Sequence, residues 1–329
     1  MKSVNDWAVG VDLGGTKVNV ALVEAGGQMG QRLHFETNVK GGPHAVIADI
    51  AKAVRSLKAT SGSSLLGAGV GLAGQIDPGQ GIVTFAPNLG WHDEPFQADL
   101  IKALGLPVVV TNDVRAATWG EWFHGAGKGC NDLICLFVGT GIGGGVVSGG
   151  QILTGCSNTA GELGHMVIDL DGPPCTCGDR GCLEALASGW AIAREAKEAV
   201  SGNPSGGTLL LNLAGGDPKE ITARMVAQAF QAKDPLAGEI VNRVSRALIV
   251  GAVSIVNAFN PCRLVLGGGI IEGFPELIDR IAEGVHKRAL RAATGSLQVL
   301  PAKLGTDAGV IGAATLALLT FKDKSQQGG

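Results

Sequence analysis

Nowhere in the sequence do Lys and Arg gather into a patch or alternate with aromatics. Aromatics are only 4% of residues, and the formal net charge is −3. Affinity for a nucleic-acid backbone comes from clustered cations, so nucleic acid is not an expected partner. Long apolar runs are equally absent. The longest, 247–259, is interrupted by Ser254 and Asn257 and falls short of the roughly 20 residues that a spanning helix needs. No membrane partner is expected. The chain does not open on a basic stretch followed by an apolar run, which predicts no secretory signal and a cytoplasmic location. Of the seven cysteines, Cys130, Cys135, Cys156 and Cys262 lie in or beside apolar stretches and are read as small core residues of a protein in a reducing compartment.

Against these absences stand an apolar fraction of 45% in 329 residues, enough for two domains with sizeable cores, and 53 glycines. The glycines cluster at chain reversals beside strands, where they let backbone approach a ligand closely.

The most informative stretch is 159–184, TAGELGHMVIDLDGPPCTCGDRGCLE. Cys175, Cys177 and Cys182 are spaced C-x-C-x4-C, with Gly178 and Gly181 inside the second interval and Pro173-Pro174 before the first Cys. Such a composition makes a tight loop, which can turn three thiolates toward one point. His165 can add a fourth ligand, completing a closed tetrahedral zinc site of the structural kind. The alternative is three buried or disulfide-paired cysteines. As a structural centre the metal would set Glu162, His165 and Glu184 on one wall, and its loss would leave distant glycine turns untouched.

Residues 7–24 read as a β-hairpin whose turn carries Gly14, Gly15, Thr16 and Lys17. Adjacent glycines let N–H groups converge on a phosphate, Thr16 and Lys17 add a hydroxyl and a cation, and Asp12 can meet Mg²⁺ or its waters. An ordinary hairpin turn is the competing reading. Residues 133–147 repeat the plan, with Gly139, Thr140 and Gly141 standing where Gly14, Gly15 and Thr16 stood. Two such hairpins across a cleft could grip one polyphosphate.

Between and after these hairpins the pattern predicts helices over 43–57, 114–123, 185–201, 221–232, 237–257 and 275–290. The 237–257 helix is apolar nearly all round and is expected to be buried. Strands are expected over 66–72, 106–111, 263–270 and 297–300, the last at an edge. A turn and a small-residue helix occupy 304–319, followed by a polar, mobile tail after Thr320. The loop 87–91 sets Asn88 beside Trp91, either a sugar-binding pair or an amide beside a surface indole. Asn112-Asp113 ends an apolar strand at a helix start. Asp113 there either projects into a crevice for chemistry or caps the helix.

Taken together, DLGGTK (12–17), GLAGQID (71–77), PNLGW (87–91), NDVRAATWGE (112–121), GTGIGGGVV (139–147), AGELGH (160–165), CTCGDRGCLEALASG (175–189), LGGGI (266–270) and DAGVIGAA (307–314) resemble the ROK family of repressors, open reading frames and sugar kinases. The resemblance spans essentially the whole chain. It implies an α/β, two-domain actin/hexokinase-like (ribonuclease H-like) ATPase fold with an interdomain cleft. Residues 1–115 would form a small domain, completed by a helix over about 307–322, and 116–306 a large domain carrying a zinc loop at 165–182. The resemblance makes Asp113 the catalytic base for phosphorylation of a hexose hydroxyl. Its sugar contacts would be Asn88, Asn112, Asp113, Glu162, His165 and Glu184, and its zinc ligands His165, Cys175, Cys177 and Cys182. ATP with Mg²⁺ would use Asp12, Gly14, Gly15, Thr16, Lys17, Gly139, Thr140 and Gly141, with adenosine near Gly267, Gly268 and Gly269. A homodimer is implied, and the first strand leaves no room for the winged helix of the repressor members. PNLGW and DPLAGEIV look like glucokinase members, which favours glucose. N-acetylmannosamine, N-acetylglucosamine, fructose or allose as substrate, polyphosphate as donor, and a non-catalytic sugar-sensing regulator stay open.

Overall fold

The glycine-turn hairpin forms as the pattern predicts. Trp7–Leu13 (β1) and Lys17–Glu24 (β2) run antiparallel, with Asp12 opposite Asn19 and Leu13 opposite Val18. Both strands are covered on both faces, so they read as apolar runs and not as alternation. Met29–Glu36 (β3) extends the meander as an exposed edge strand. The computed structural model describes residues 6–61 and 64–326.

Gly42–Ser61 (α1) leads to Leu65–Leu72 (β4), parallel to β1. A small antiparallel sheet of Gln75–Ile76 (β5), Val83–Ala86 (β6) and Trp91–Glu94 (β7) follows; the sequence pattern does not reveal it, because its strands are only two to four residues long. Phe96–Leu104 (α2), Val108–Asn112 (β8) and Asp113–Phe123 (α3) complete this part, giving a sheet ordered β3-β2-β1-β4-β8.

Leu133–Val138 (β9), Ile142–Ser148 (β10) and Gln151–Ile152 (β11) start a second antiparallel meander. The helix expected over 185–201 is two, Leu183–Ala187 (α4) and Gly189–Gly202 (α5). Ser188 ends the first in extended geometry and caps the second through Ala191 N. Thr208–Leu213 (α6) is an additional helix that the pattern does not reveal, followed by Ala223–Gln231 (α7). Pro235–Phe259 (α8) buries a long stripe from Ala237 to Val256, yet Asn242, Arg243 and Arg246 are exposed, so it is amphipathic and not covered all round. Arg263–Gly267 (β12), Gly269–Gly273 (α9), Glu276–Arg288 (α10), Arg291–Thr294 (α11) and Gln298–Pro301 (β13) follow. This sheet is ordered β11-β10-β9-β12-β13, with β13 at the expected edge. Ala308–Gln326 (α12) closes the chain; the tail expected to be mobile is helical through Gln326, and 327–329 lie outside the described residues.

Two compact units result. One comprises 1–129, 153–160 and 303–329, the other 130–152 and 161–302. The domain boundary expected at 115–116 falls inside α3, a continuous helix that packs on α12 in the first unit. In that unit α1 covers one face of the sheet around Val9, Val11 and Leu13, while α12 covers the other around Ala8, Ala21 and Val23. Why α12 is rich in small residues is now visible. A Cβ on Gly10 or Gly69 would lie 1.9 or 1.8 Å from the α12 carbonyls of Val310 and Ala313. One on Gly312 would lie 1.7 Å from the Ala116 carbonyl. The helix therefore approaches sheet and α3 backbone to backbone. In the second unit α4, α5, α7, α8 and α10 enclose the core built on Ile134, Leu136, Leu264 and Leu266.

Two expectations about single side chains fail. Trp91 is neither a sugar platform nor a surface indole: it is 2% exposed and packs on Phe96 with ring centroids 5.2 Å apart. Cys156 and Cys262 are exposed, because both sit in turns beside the elements whose apolar residues suggested burial; Cys130 and Cys135 are buried as expected. No described helix is long and apolar enough to cross a membrane.

Candidate active site

In the first unit Asp12 lies one residue before the end of β1, between buried Val11 and Leu13, and its Oδ2 accepts from Asn19 Nδ2 at 3.2 Å, across the strand pair. Burial pushes its carboxyl pKa up, opposed by the Asn19 hydrogen bond and the charge of Lys17. A divalent cation would offset that desolvation, and an oxygen donor at a strand end is what Mg²⁺ uses. The turn after it is closed by Gly14 N donating to the Lys17 carbonyl (3.0 Å) and braced by Thr37 Oγ1 donating to the Gly14 carbonyl (2.7 Å). A Cβ on Gly15 would stand 2.8 Å from the Asn88 carbonyl, so DLGGTK and PNLGW touch there. Asn88 itself is exposed.

Asn112 is the N-cap of α3: its Oδ1 accepts from Val114 N (3.0 Å) and Arg115 N (3.2 Å). Asp113, whose Oδ1 accepts from Val114 N at 2.9 Å, is thus spared the cap position. Much of the Asn112 amide, in contrast, is committed to structure, with Nδ2 reaching the Gly74 carbonyl at 3.5 Å.

In the second unit the turn after β9 is closed by Gly139 N donating to the Gly141 carbonyl (2.9 Å). Gly189 N and Trp190 N, at the start of α5, donate to the Gly139 and Thr140 carbonyls at 2.8 and 3.2 Å. Gly139, Thr140, Trp190 and Gly269 help to line a cavity of about 910 Å³, which also receives Lys197 and Arg224. Of the three glycines expected near adenosine, only Gly269 is on its wall. Gly267 packs on Phe137, and a Cβ on Gly268 would lie 2.5 Å from the Val138 carbonyl. Sequence reasoning missed Lys197 and Arg224, since a lone cation on an amphipathic helix carries no signal separating a cavity wall from a solvated face.

His165, Cys175, Cys177 and Cys182 converge, with ligand atoms all within 4.8 Å of one another. His165 Nδ1 is 3.7 Å from Cys175 Sγ, and Cys177 Sγ is 3.7 Å from Cys182 Sγ. Zinc–sulfur bonds of about 2.3 Å at a tetrahedral angle put sulfurs about 3.8 Å apart, so these residues fit the metal. A disulfide among them does not fit, since it needs sulfurs about 2 Å apart. Gly178 and Gly181, at φ of 98° and 70°, supply the turns that aim the thiols inward. Burial, with the neighbouring thiols, pushes Cys182 up to about 12, while the Asp179 backbone N–H lowers exposed Cys177.

Glu184 departs from expectation. Its Oε2 accepts from Ile142 N at 2.7 Å, and Oε1 lies 3.4 Å from both Thr176 Oγ1 and Trp190 Nε1. This one carboxylate joins the cysteine loop to the 139–141 turn. Loop and turn, expected to be independent, thus share a hydrogen-bonded carboxylate. Glu162 is exposed, at the start of the short 3₁₀ turn Leu163–His165.

Comparison with known proteins points to one family. The ROK family model matches residues 8–319. The glucokinase of Thermotoga maritima is 38% identical over 309 residues, covering 94% of this chain and 96% of that one. Among solved structures, a ROK family glucokinase from Streptomyces griseus in complex with glucose and AMPPNP is 34% identical, with TM-score 0.80 over 95% of this chain and 99% of the other. A ROK hexokinase from Thermus thermophilus, also 34% identical, gives 0.83 over 96% and 99%. The chain belongs to the ROK family and has its two-domain actin/hexokinase-like fold.

Proposed function

We propose that the chain is an ATP-dependent hexose kinase that converts glucose to glucose 6-phosphate. The observation carrying this reading is the pair of carboxylates in the first unit: half-buried Asp12 beside a Gly-Gly turn, and Asp113 beside a helix cap that Asn112 already fills. Similarity to glucokinases over nearly the whole chain directs it to glucose.

Asp113 accepts the proton of the sugar hydroxyl as its oxygen bonds to the γ-phosphorus. The bond from that phosphorus to the bridging oxygen breaks, and ADP leaves with the electron pair. Asp12 would hold Mg²⁺, which offsets charge on the phosphates. N–H groups of the 14–17 and 139–141 turns supply neutral donors. Phosphoryl transfer asks chiefly for such positioning and electrostatics. Glu162, His165 and Glu184 are read as hydroxyl ligands on the sugar side, with Asn88 and Asn112. His165, Cys175, Cys177 and Cys182 would hold a structural zinc, whose role is to fix the loop. Adenosine is assigned to the cavity beside Thr140 and Gly269. A cytoplasmic homodimer without nucleic-acid partners completes the reading, and sedimentation of the purified chain tests the assembly.

The deciding assay crosses glucose, fructose, allose and the two N-acetylhexosamines with ATP and polyphosphate. Glucose with ATP is expected to give the fastest turnover. A faster acceptor or donor redirects the assignment, and absence of turnover with every pair overturns it.

A further inference from the structure

Trp190 belongs to two places at once in the second unit. Its indole packs on Cys175, Cys182 and Ala185 of the cysteine loop and α4. It is also part of the wall of the cavity of about 910 Å³ assigned to adenosine, beside Thr140, Gly269 and Phe274.

The fold holds this side chain through several contacts. Its backbone N donates to the Thr140 carbonyl at 3.2 Å, next to the Gly189 bond to Gly139 at 2.8 Å, so the start of α5 and the 139–141 turn are joined. The indole Nε1 donates to Glu184 Oε1 at 3.4 Å, while the other carboxylate oxygen takes Ile142 N at 2.7 Å. One turn further along α5, the guanidinium of Arg194 stands 5.2 Å from the ring centroid. Arg194 is itself fixed, with Nη2 donating to the Ala185 carbonyl at 3.0 Å and Nε 3.8 Å from Glu198 Oε1. Neither Glu184 nor Arg194 lines the cavity, so both act on the indole and not on what it touches.

An indole suits this double duty. It offers a large flat apolar surface with few torsions to fix, and its N–H takes an acceptor. At the cavity it meets glycine backbone and the apolar side chains of Ala193, Ala227 and Ile270, a wall on which the rings of a purine can lie flat. Stacking of a base on an aromatic ring uses the π-face and needs no hydrogen-bond readout. Close-packed interiors transmit strain, so a loop that loses its metal moves the indole resting on Cys175 and Cys182.

We propose that Trp190 is the purine-binding residue of the nucleotide site and that the cysteine loop places it. The inference rests on the assignment of adenosine to this cavity. Every contact it uses lies within one compact unit. It makes the metal loop a determinant of nucleotide affinity through the base, in addition to the Glu184 bond to Ile142 N.

The test is calorimetric titration, with Mg²⁺ present, of ADP and of tripolyphosphate, which carries phosphates and no base, together with Trp fluorescence. Trp190→Ala should raise the ADP Kd about tenfold and leave that of tripolyphosphate within about twofold. Trp190→Phe keeps a ring on the cysteines, so it folds even if Trp190→Ala does not. Without the N–H to Glu184 its ADP Kd should rise about threefold, again with tripolyphosphate unmoved. The emission of Trp190, taken as the difference between wild type and Trp190→Phe, should shift when ADP binds and when a chelator removes zinc, followed by metal analysis. ADP affinity unchanged in Trp190→Phe, tripolyphosphate affinity falling in step with it, or a difference emission that ignores either ADP or zinc removal overturns the proposal. Wild type that binds tripolyphosphate and no ADP overturns the adenosine assignment, and wild type that holds no zinc overturns the metal reading; the same measurements report each separately.

Discussion

The two sheets share one plan and differ in where they keep their charge. Both are a three-stranded antiparallel meander continued by two parallel strands, and in both a glycine turn joins the first two strands. Aligning Gly14 with Gly139 puts Phe137 where Asp12 stands and Ile142 where Lys17 stands. The first turn thus carries an acid and a cation on its own strands, and the second carries neither. Its carboxylate is borrowed: Glu184 comes from beyond the cysteine loop to bond Ile142 N. A duplicated backbone supplies donors twice, while the side chains differ: an acid and a cation at the first turn, a carboxylate from α4 at the second, beside a cavity. Scaffold and chemistry separate cleanly here.

Removing charge from the first unit should have the largest consequence. Asp113→Asn leaves the Asn112 cap of α3 in place, so the fold should persist while the proton acceptor is lost. Turnover should fall by about two to four orders of magnitude with glucose Kd nearly unchanged. Near-normal turnover would return Asp113 to a purely structural role.

The borrowed carboxylate is sharpened by its tether. Cys177→Ser replaces a soft ligand, so zinc content should fall. Because Cys182 immediately precedes α4 and Glu184 grips Ile142 N, relaxation should reach the 139–141 turn as well as the sugar side. Glucose affinity should weaken most and ATP affinity measurably, about threefold, for one strained charged hydrogen bond. Metal analysis beside both titrations checks this. Zinc loss that leaves ATP affinity untouched would mean that loop and turn are independent after all.

How much of this was legible beforehand follows from which signals are local. The hairpins, the cysteine spacing and the strand-to-Asp113 junction are carried by adjacent residues, and they appear where expected. What sequence could not supply was burial and long-range partners. Trp91 looked like a platform because an indole beside Asn88 has the right chemistry, yet a small sheet of two- to four-residue strands encloses it. The resemblance gives Glu184 a sugar-side role; its bond to Ile142 N spans the cysteine loop and has no sequence signature.

The smallest effect distinguishes the two turns by pH. Asp12 is half-buried with one side-chain hydrogen bond, from Asn19, and desolvation raises its pKa above the ordinary 3.8 despite that bond and Lys17. The folded state therefore holds the proton more tightly than the unfolded one. The stabilisation this represents is complete below 3.8 and is lost as pH rises through the higher folded value. At neutral pH the ionised group is a net cost to the apo fold, each unit of upward shift being worth about 1.4 kcal/mol. Asp12→Asn keeps an oxygen for Asn19 Nδ2 and removes the charge, so its melting temperature should exceed that of wild type at pH 7. The gap should close as pH falls toward 3.8, and common titrations cancel in the difference. Mg·ATP should reverse the order, stabilising wild type and not the variant, since the charge that burdens the apo fold is the one a cation uses. A variant less stable than wild type at pH 7, or a gap that ignores pH, would show that Asp12 is held for its hydrogen bond rather than for its charge.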